Sequence, residues 1–214
     1  MEVDTGASLY PVALSVDGVR CLVVGGGRIA ARKVAGLRAC GAEVVVVAPE
    51  VVPALARTDD PGVTVLSRPY RAGEAAGYRL VITATGDPDV DGAVSSDARA
   101  AGTWVNSADD IGNCTFILPA VHRDGPVTVA VSTSGTSPAL AGWLRDQMAA
   151  ALAPALGSLS RLLAEARSEL HAVGTSTEAV DWRTILDGPV PELVAAGDTD
   201  AARERLRRDL GLAG

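Results

Sequence analysis

Two adjacent acids, Asp109 and Asp110, end the polar stretch Asn106-Ser107-Ala108-Asp109-Asp110 that follows a short apolar run. A carboxylate presented at the end of a buried strand can take a proton from a bound substrate, so one of the two is the candidate general base. Far upstream, Cys21-Leu22-Val23-Val24 runs into Gly25-Gly26-Gly27-Arg28-Ile29-Ala30-Ala31-Arg32-Lys33. This G-x-G-x-x-A spacing suits a pyrophosphate. Gly25 permits the tight turn, Gly27 lets the backbone approach the phosphates, and Ala30 lets helix and strand pack closely. The free amides at the helix start then face the anion.

Those residues need elements to carry them. Val19 to Val24 reads as a buried strand, Arg28 to Cys40 as a helix ending at Gly41, and Glu43 to Val47 as a second strand, which together form one βαβ unit. Val63 to Leu66 and Arg79 to Ala84 read as further strands with a turn near Gly73, Asp87 to Ala101 as a helix closed by Gly102, and Thr103 to Asn106 as a fifth strand. Residues 10–110 are therefore expected to form a Rossmann-type doubly wound parallel sheet, an α/β fold. In such a sheet the ligand lies beyond the carboxyl ends of the strands, where the glycine turn, Thr83 to Asp87 and Asn106 to Asp110 should all emerge.

The candidate cofactor contacts are Gly25, Gly26, Gly27, Arg28, Ile29 and Ala30 in the turn, Pro49 and Glu50 after the second strand, and Ala84, Thr85 and Asn106 after the fourth and fifth. Glu50 stands at the distance expected of a ribose ligand, but it follows Pro49 and reads equally well as an exposed acid in the first turn of the next helix. No arginine directly follows the second strand to receive a 2′-phosphate, which favours NAD over NADP.

Beyond Asn113 the pattern changes. Cys114 to Leu118 and Val127 to Ser132 read as two strands joined by His122-Arg123-Asp124-Gly125-Pro126, a hairpin rather than another βα unit. In Ser132-Thr133-Ser134-Gly135-Thr136-Ser137-Pro138, Ser137 caps a helix and Pro138 suits its first position; that helix runs to about Ala153. Pro154 to Val173, Thr175 to Leu186 and Thr199 to Leu210 are further helical stretches. The expected division is a Rossmann domain over 1–112, a small α+β element over 113–150 and a C-terminal helical domain over 151–214.

Composition narrows the classes. The 214 residues are 48% apolar, enough for a full core. The net charge of −7 argues against a nucleic-acid surface or an anionic membrane. Met1 to Leu14 has no secretory pattern and no segment approaches the ~20 apolar residues of a membrane span, so a cytoplasmic location is expected. Cys21, Cys40 and Cys114 form no C-x-x-C pair, and with His122 and His171 they spell out no metal cage. Cys21 and Cys40 read as core residues. The cluster of Arg203, Arg205, Arg207 and Arg208, interleaved with Glu204 and Asp209, reads as a solvated helix face.

Several of these strings, in this order, resemble the precorrin-2 dehydrogenase/sirohydrochlorin ferrochelatase module of the siroheme synthases: Tyr10-Pro11-Val12, the glycine turn, Ala48-Pro49-Glu50, Thr83-Ala84-Thr85, Val105-Asn106 with Asp109, Phe116-Ile117-Leu118-Pro119-Ala120 and Ser132 through Ala141. The resemblance covers about Tyr10 to Leu152. It implies oxidation of precorrin-2 to sirohydrochlorin by NAD, followed by insertion of ferrous iron, a substrate, to give siroheme. Asp109 matches the family's catalytic aspartate, and one carboxylate could serve proton removal in both steps. Asp110 reads as a solvated loop acid.

The resemblance further implies that Thr133, Ser134, Gly135, Thr136 and Ser137, with Arg145, bind the carboxylates of the tetrapyrrole, with Arg123 as another partner. The Thr133–Ser137 stretch could equally be a plain helix cap. A homodimer is implied, interlocked around Cys114 to Ser132 and the following helix. His122 is expected to face solvent in the hairpin turn. The chain carries no second glycine-rich motif for a methyltransferase, so uroporphyrinogen methylation is expected from another protein. Two other outcomes stay open: a dehydrogenase without chelatase activity, and an NAD-sensing regulatory domain.

Overall fold

The computed structural model describes residues 9–212. The first eight residues of the expected 1–112 domain, where the sequence reading found no secretory pattern, and the last two of the expected helical domain lie outside the described residues.

The first compact unit takes in the described residues up to Leu118 together with Ser134–Thr136. Its strands are β1 (Arg20–Val24), β2 (Glu43–Ala48), β3 (Val63–Ser67), β4 (Leu80–Thr83) and β5 (Trp104–Ser107). All pair in parallel in the order β3-β2-β1-β4-β5. Parallel strands need crossovers, which helix α1 (Arg28–Arg38), the four-residue α2 (Pro53–Ala56) and α3 (Pro88–Ala100) contribute. Because side chains alternate along a strand, the sheet has two dry faces. Cys21, Val23, Val44, Val46 and Ile82 meet Ala30 and Val34 of α1 on one. Leu22, Val24, Val47, Val81 and Val105 meet Val94 and Ala98 of α3 on the other. Helices on both faces make the unit the expected doubly wound Rossmann-type sheet. Truncating the fully buried Leu22 to alanine costs about 2–5 kcal/mol.

The second unit comprises Pro119–Thr133 and the described residues from Ser137 onward. It opens with an antiparallel hairpin of β6 (Ala120–Asp124) and β7 (Val127–Val131), on which α4 (Pro138–Ala151) packs. The hairpin's first strand therefore lies at Ala120–Asp124, not at Cys114–Leu118. His122 sits on a strand, half-buried, and not in a turn; the turn is Gly125-Pro126 alone. The apolar run Cys114 to Leu118 is extended but serves the first unit: Thr115 donates its N–H to the Val105 carbonyl (2.7 Å), and Phe116 stands edge-on to Trp104.

Helices α5 (Leu156–Ala172), α6 (Trp182–Leu186), α7 (Val190–Ala195) and α8 (Thr199–Asp209) complete the unit around Leu162, Ile185, Val190 and Leu206. The single helix expected over Thr175–Leu186 is broken. Val180 is extended, and Asp181 caps a fresh start by accepting the Thr184 N–H. Three of the four arginines of α8 are ion-paired: Arg205 to Asp209 on the same helix, and Arg203 and Arg207 to Glu165 and Glu169 of α5; the fourth, Arg208, donates to the Glu204 carbonyl.

Candidate functional site

The glycine turn forms where β1 delivers it, at the carboxyl edge of the sheet. Gly25 is buried with φ +121°, and a Cβ on it would lie 2.3 Å from the Ala84 carbonyl oxygen. A Cβ on Gly26 would lie 1.9 Å from the Glu50 carbonyl oxygen. Any side chain at these two positions would push apart the loops after β4 and β2. Gly27 differs: it caps α1 in an extended conformation, and a Cβ there would meet nothing within 4 Å. No side chain caps α1 and no acid stands in its first turn, so the positive end of the helix is presented to an anion. Arg28 and Ile29 are exposed, while Ala30 is fully buried against β1. A turn closed on two sides by backbone and open on the third fits the pyrophosphate of a dinucleotide. Pro49 and Glu50 are both exposed, and it is the backbone of Glu50 that touches the turn.

The loop after β4 is held from beneath. Asp91 of α3, 3% exposed, accepts hydrogen bonds on Oδ1 from the Thr83 hydroxyl, from the Thr85 hydroxyl (2.7 Å) and from the Thr85 N–H (3.3 Å). Asp87 caps α3 by accepting the Asp89 and Val90 N–H groups. Sequence reasoning missed Asp91. Its signal was an acid spaced with Val94, Ser95 and Ala98 on the buried stripe of α3, a position that a charge occupies only with partners.

The loop after β5 carries Asp109 and Asp110, both exposed. Asp109 makes no hydrogen bond within the described residues. Asp110 accepts the Gly112 N–H (2.8 Å) and so caps a short 3-10 turn, Ile111–Asn113. The feet of the loop are tied down. The buried Cys114 Sγ accepts from the Ser107 N–H (3.2 Å) and lies 3.4 Å from the Ser107 and Asp110 carbonyl oxygens. The Ser95 hydroxyl donates to the Asn113 carbonyl, and an Arg99 guanidinium N–H to that of Gly112. Asn106 is buried and its amide donates to the Phe116 carbonyl (3.1 Å), so this candidate cofactor contact braces the segment covering β5. Ser107 is also buried, and its hydroxyl has no hydrogen-bond partner among the described residues.

Burial pushes the Cys114 thiol up, with the nearby Asp110 carboxylate acting in the same direction, and pushes Cys21 up to about 11. Both are packing thiols rather than nucleophiles at neutral pH. Lys33, half-buried on α1, is pushed below the ordinary lysine range by desolvation and by Arg32.

The Thr133–Ser137 stretch divides between the two units. Ser134 and Gly135 are left-handed, with φ 52° and 82°, and a Cβ on Gly135 would strike Ile111. Thr136 belongs with them. In the second unit, Thr133 Oγ1 accepts the Ser137 N–H (3.1 Å), and Ser137 Oγ accepts the Leu140 N–H to cap α4. Arg145 is paired with its neighbour Asp146 at 2.7 Å. Among the described residues no group of His, Cys, Asp and Glu could hold a metal ion, and no helix is long and apolar enough to cross a membrane.

Residues 12–120 match the family model described as putative NAD(P)-binding, 124–151 the central part of sirohaem biosynthesis proteins, and 155–210 the sirohaem synthase dimerisation region. The chain is 38% identical over 203 residues to the siroheme synthase of Nitrosococcus oceani, covering 94% of this chain and 43% of that protein. Against the siroheme synthase of Chromobacterium violaceum it is 36% identical over 208 residues, covering 96% and 44%. The chain thus spans less than half the length of these curated relatives. Among solved structures, SirC, a precorrin-2 dehydrogenase, shares its fold with a TM-score of 0.73 at 22% identity, over 94% of this chain and 100% of that one.

Proposed function

The chain belongs to the siroheme synthase family, whose NAD-binding, central and dimerisation models match it in succession, and from that premise we propose that it oxidises precorrin-2 to sirohydrochlorin with NAD. The observation that carries this reading is the meeting, at the carboxyl edge of one parallel sheet, of a glycine turn shaped for an anion with an exposed carboxylate on a tethered loop.

When bound, NAD accepts the hydride. The chain's own residues do the rest. Gly25, Gly26 and Gly27 shape the turn, and the amides of Arg28, Ile29 and Ala30 receive the pyrophosphate. Ala84 and Thr85, Pro49 and Glu50, and Asn106 border the nucleotide. Asp109 takes the proton that must leave the substrate along with the hydride, so a closed-shell, more unsaturated macrocycle results. Once that proton has passed to solvent, the same carboxylate accepts the two pyrrole N–H protons in turn, handing each to solvent, as ferrous iron, a substrate, enters to give siroheme. Thr133, Ser134, Gly135, Thr136, Ser137 and Arg145 bind carboxylates of the tetrapyrrole. A homodimer, a cytoplasmic location and the division at 1–112, 113–150 and 151–214 belong to the same proposal, as do the absence of a resident metal and of nucleic-acid and membrane partners.

The test is anaerobic incubation with precorrin-2 and NAD, followed by ferrous iron. NADH and sirohydrochlorin absorbance are expected first, then siroheme. No NADH removes the dehydrogenase reading. NADH without accelerated iron uptake removes only the chelatase.

A further inference from the structure

We propose that Asp91 is a positioning residue for dinucleotide binding, its buried carboxylate holding the Thr83–Thr85 loop in the shape that the glycine turn requires. This rests on the dinucleotide reading of the site above. Asp91 lies behind the loop, on the first turns of α3, and its action is through the threonines.

The geometry makes the link direct. The register partner of Val24, the last residue of β1, is Thr83, the last of β4. Gly25 then passes so close to the Ala84 carbonyl that no Cβ fits between them. The position of the Ala84 peptide is therefore the wall of the turn. The residues on either side of Ala84 are both bonded to one oxygen, Asp91 Oδ1: Thr83 by its hydroxyl, Thr85 by its hydroxyl and its N–H. The Thr85 hydroxyl also accepts the Asp87 N–H (3.0 Å), and of the two acceptors within reach of its proton, Asp91 Oδ1 at 2.7 Å and the Asp87 carbonyl at 3.2 Å, the carboxylate is the nearer. The result is a relay from the Asp87 amide through Thr85 to a carboxylate, in which each bond polarises the next. A carboxylate is suited to this place because it only accepts, and bonds to an ionised acceptor are about twice as strong as neutral ones. Thr83 and Asp91 are both buried, so water does not substitute for the lost partner.

Replacing Asp91 with asparagine keeps shape and volume but removes the charge and introduces donors where the loop already supplies them. The loop then relaxes, and the amides and hydroxyl facing the nucleotide lose their alignment. Asp91→Asn is expected to raise the Kd for NAD about tenfold, the equivalent of one hydrogen bond's worth of loop order. With precorrin-2 turnover as readout, KM for NAD rises while kcat at saturating NAD stays within about twofold, because the Asp109 loop, beyond the Ala108 N–H bond to the Thr83 carbonyl of the sheet itself, is tied down by Ser95, Arg99 and Cys114.

The experiment is calorimetric titration of NAD into the full chain and into Asp91→Asn, Thr85→Val, Thr85→Ser and the Asp91→Asn/Thr85→Val double variant. Thr85→Val is expected to weaken NAD, Thr85→Ser to restore near-normal affinity, and the double variant to lose less than the product of the single losses. Should Asp91→Asn not fold, Thr83→Val and Thr83→Ser carry the test, because Thr83 is fully buried behind the loop and bonded to the same oxygen: Thr83→Val is expected to weaken NAD and Thr83→Ser not to, and equal affinity in the two overturns the assignment. Equal affinity in Asp91→Asn and the unaltered chain, multiplying losses, or equal affinity in Thr85→Val and Thr85→Ser overturns the assignment. If the unaltered chain itself does not bind NAD, the dinucleotide reading falls and the assignment with it, a result distinct from a failure of Asp91 alone.

Discussion

The Cβ that Gly26 lacks would stand 1.9 Å from the carbonyl oxygen of Glu50, while the one that Gly27 lacks would stand in open space. Consecutive glycines thus serve opposite ends. Gly26 is required by the protein's own packing, and Gly27 leaves the space in front of α1 open.

Gly26→Ala is accordingly expected to destabilise the fold, by about 1–3 kcal/mol as an overpacked contact between backbones. Gly27→Ala, with φ −80°, is expected to melt close to the unaltered chain yet lose most of its NAD affinity. Thermal unfolding and NAD titration on the two variants separate these effects. Equal damage to both properties in both variants would contradict the division of labour.

Asp109→Asn removes the proposed base without removing any hydrogen bond that holds the loop. NAD binding and melting temperature should stay as they are, while the rate of NADH formation from precorrin-2 falls about 10²–10⁴-fold. Rapid-mixing absorbance at saturating NAD measures this. A variant that keeps its turnover would move the base elsewhere, with Asp110 next to be replaced.

Glu74 supplies a pH signature of the fold itself. Its carboxylate is held by both guanidinium nitrogens of Arg68 and by the Arg71 N–H, and the Arg68 pairing leads in keeping its pKa below the ordinary glutamate value. Glu74 binds a proton more readily unfolded than folded, so its contribution is present above the ordinary glutamate pKa and is lost as the pH falls through the depressed folded value. With Glu74 13% and Arg68 26% exposed, the contribution is about 1 kcal/mol after solvent screening. Urea unfolding of Glu74→Gln should show that deficit at pH 7 and a shrinking one as the pH is lowered below 4.5. A deficit that stays constant into acid would refute this account.

The sheet and its turn were legible in the sequence because β1, α1 and β2 each announce themselves in consecutive residues: an apolar run, glycines at fixed spacing, another apolar run. The hairpin was not. Cys114 to Leu118 has the composition of a strand and is extended, yet it spends its hydrogen bonds on Val105 and Asn106 and its apolar atoms on the sheet face, so the ladder begins at Ala120. Composition reports what a segment can bury, and only the three-dimensional neighbours decide which edge it joins. Asp91 was hidden for a related reason: its donors come from another element, eight and six residues away. The partners of the α8 arginines on α5 were likewise invisible to a reading along one helix.

The strand order has a consequence in time. β1 is made before the other four strands of its sheet, yet it ends between β2 and β4, so for part of synthesis one of its edges stands unpaired. The face bearing Leu22 and Val24 waits longer still, for α3. From Ser67 at the end of β3 to Ala100 at the end of α3, a ribosome moving at ~5–20 residues per second needs roughly two to seven seconds. During that interval the nascent half-sheet exposes a β-branched edge and an apolar face together, the combination most prone to pairing with a neighbouring chain. The yield of this protein should therefore depend on translation speed and chaperone supply more than its finished core would suggest.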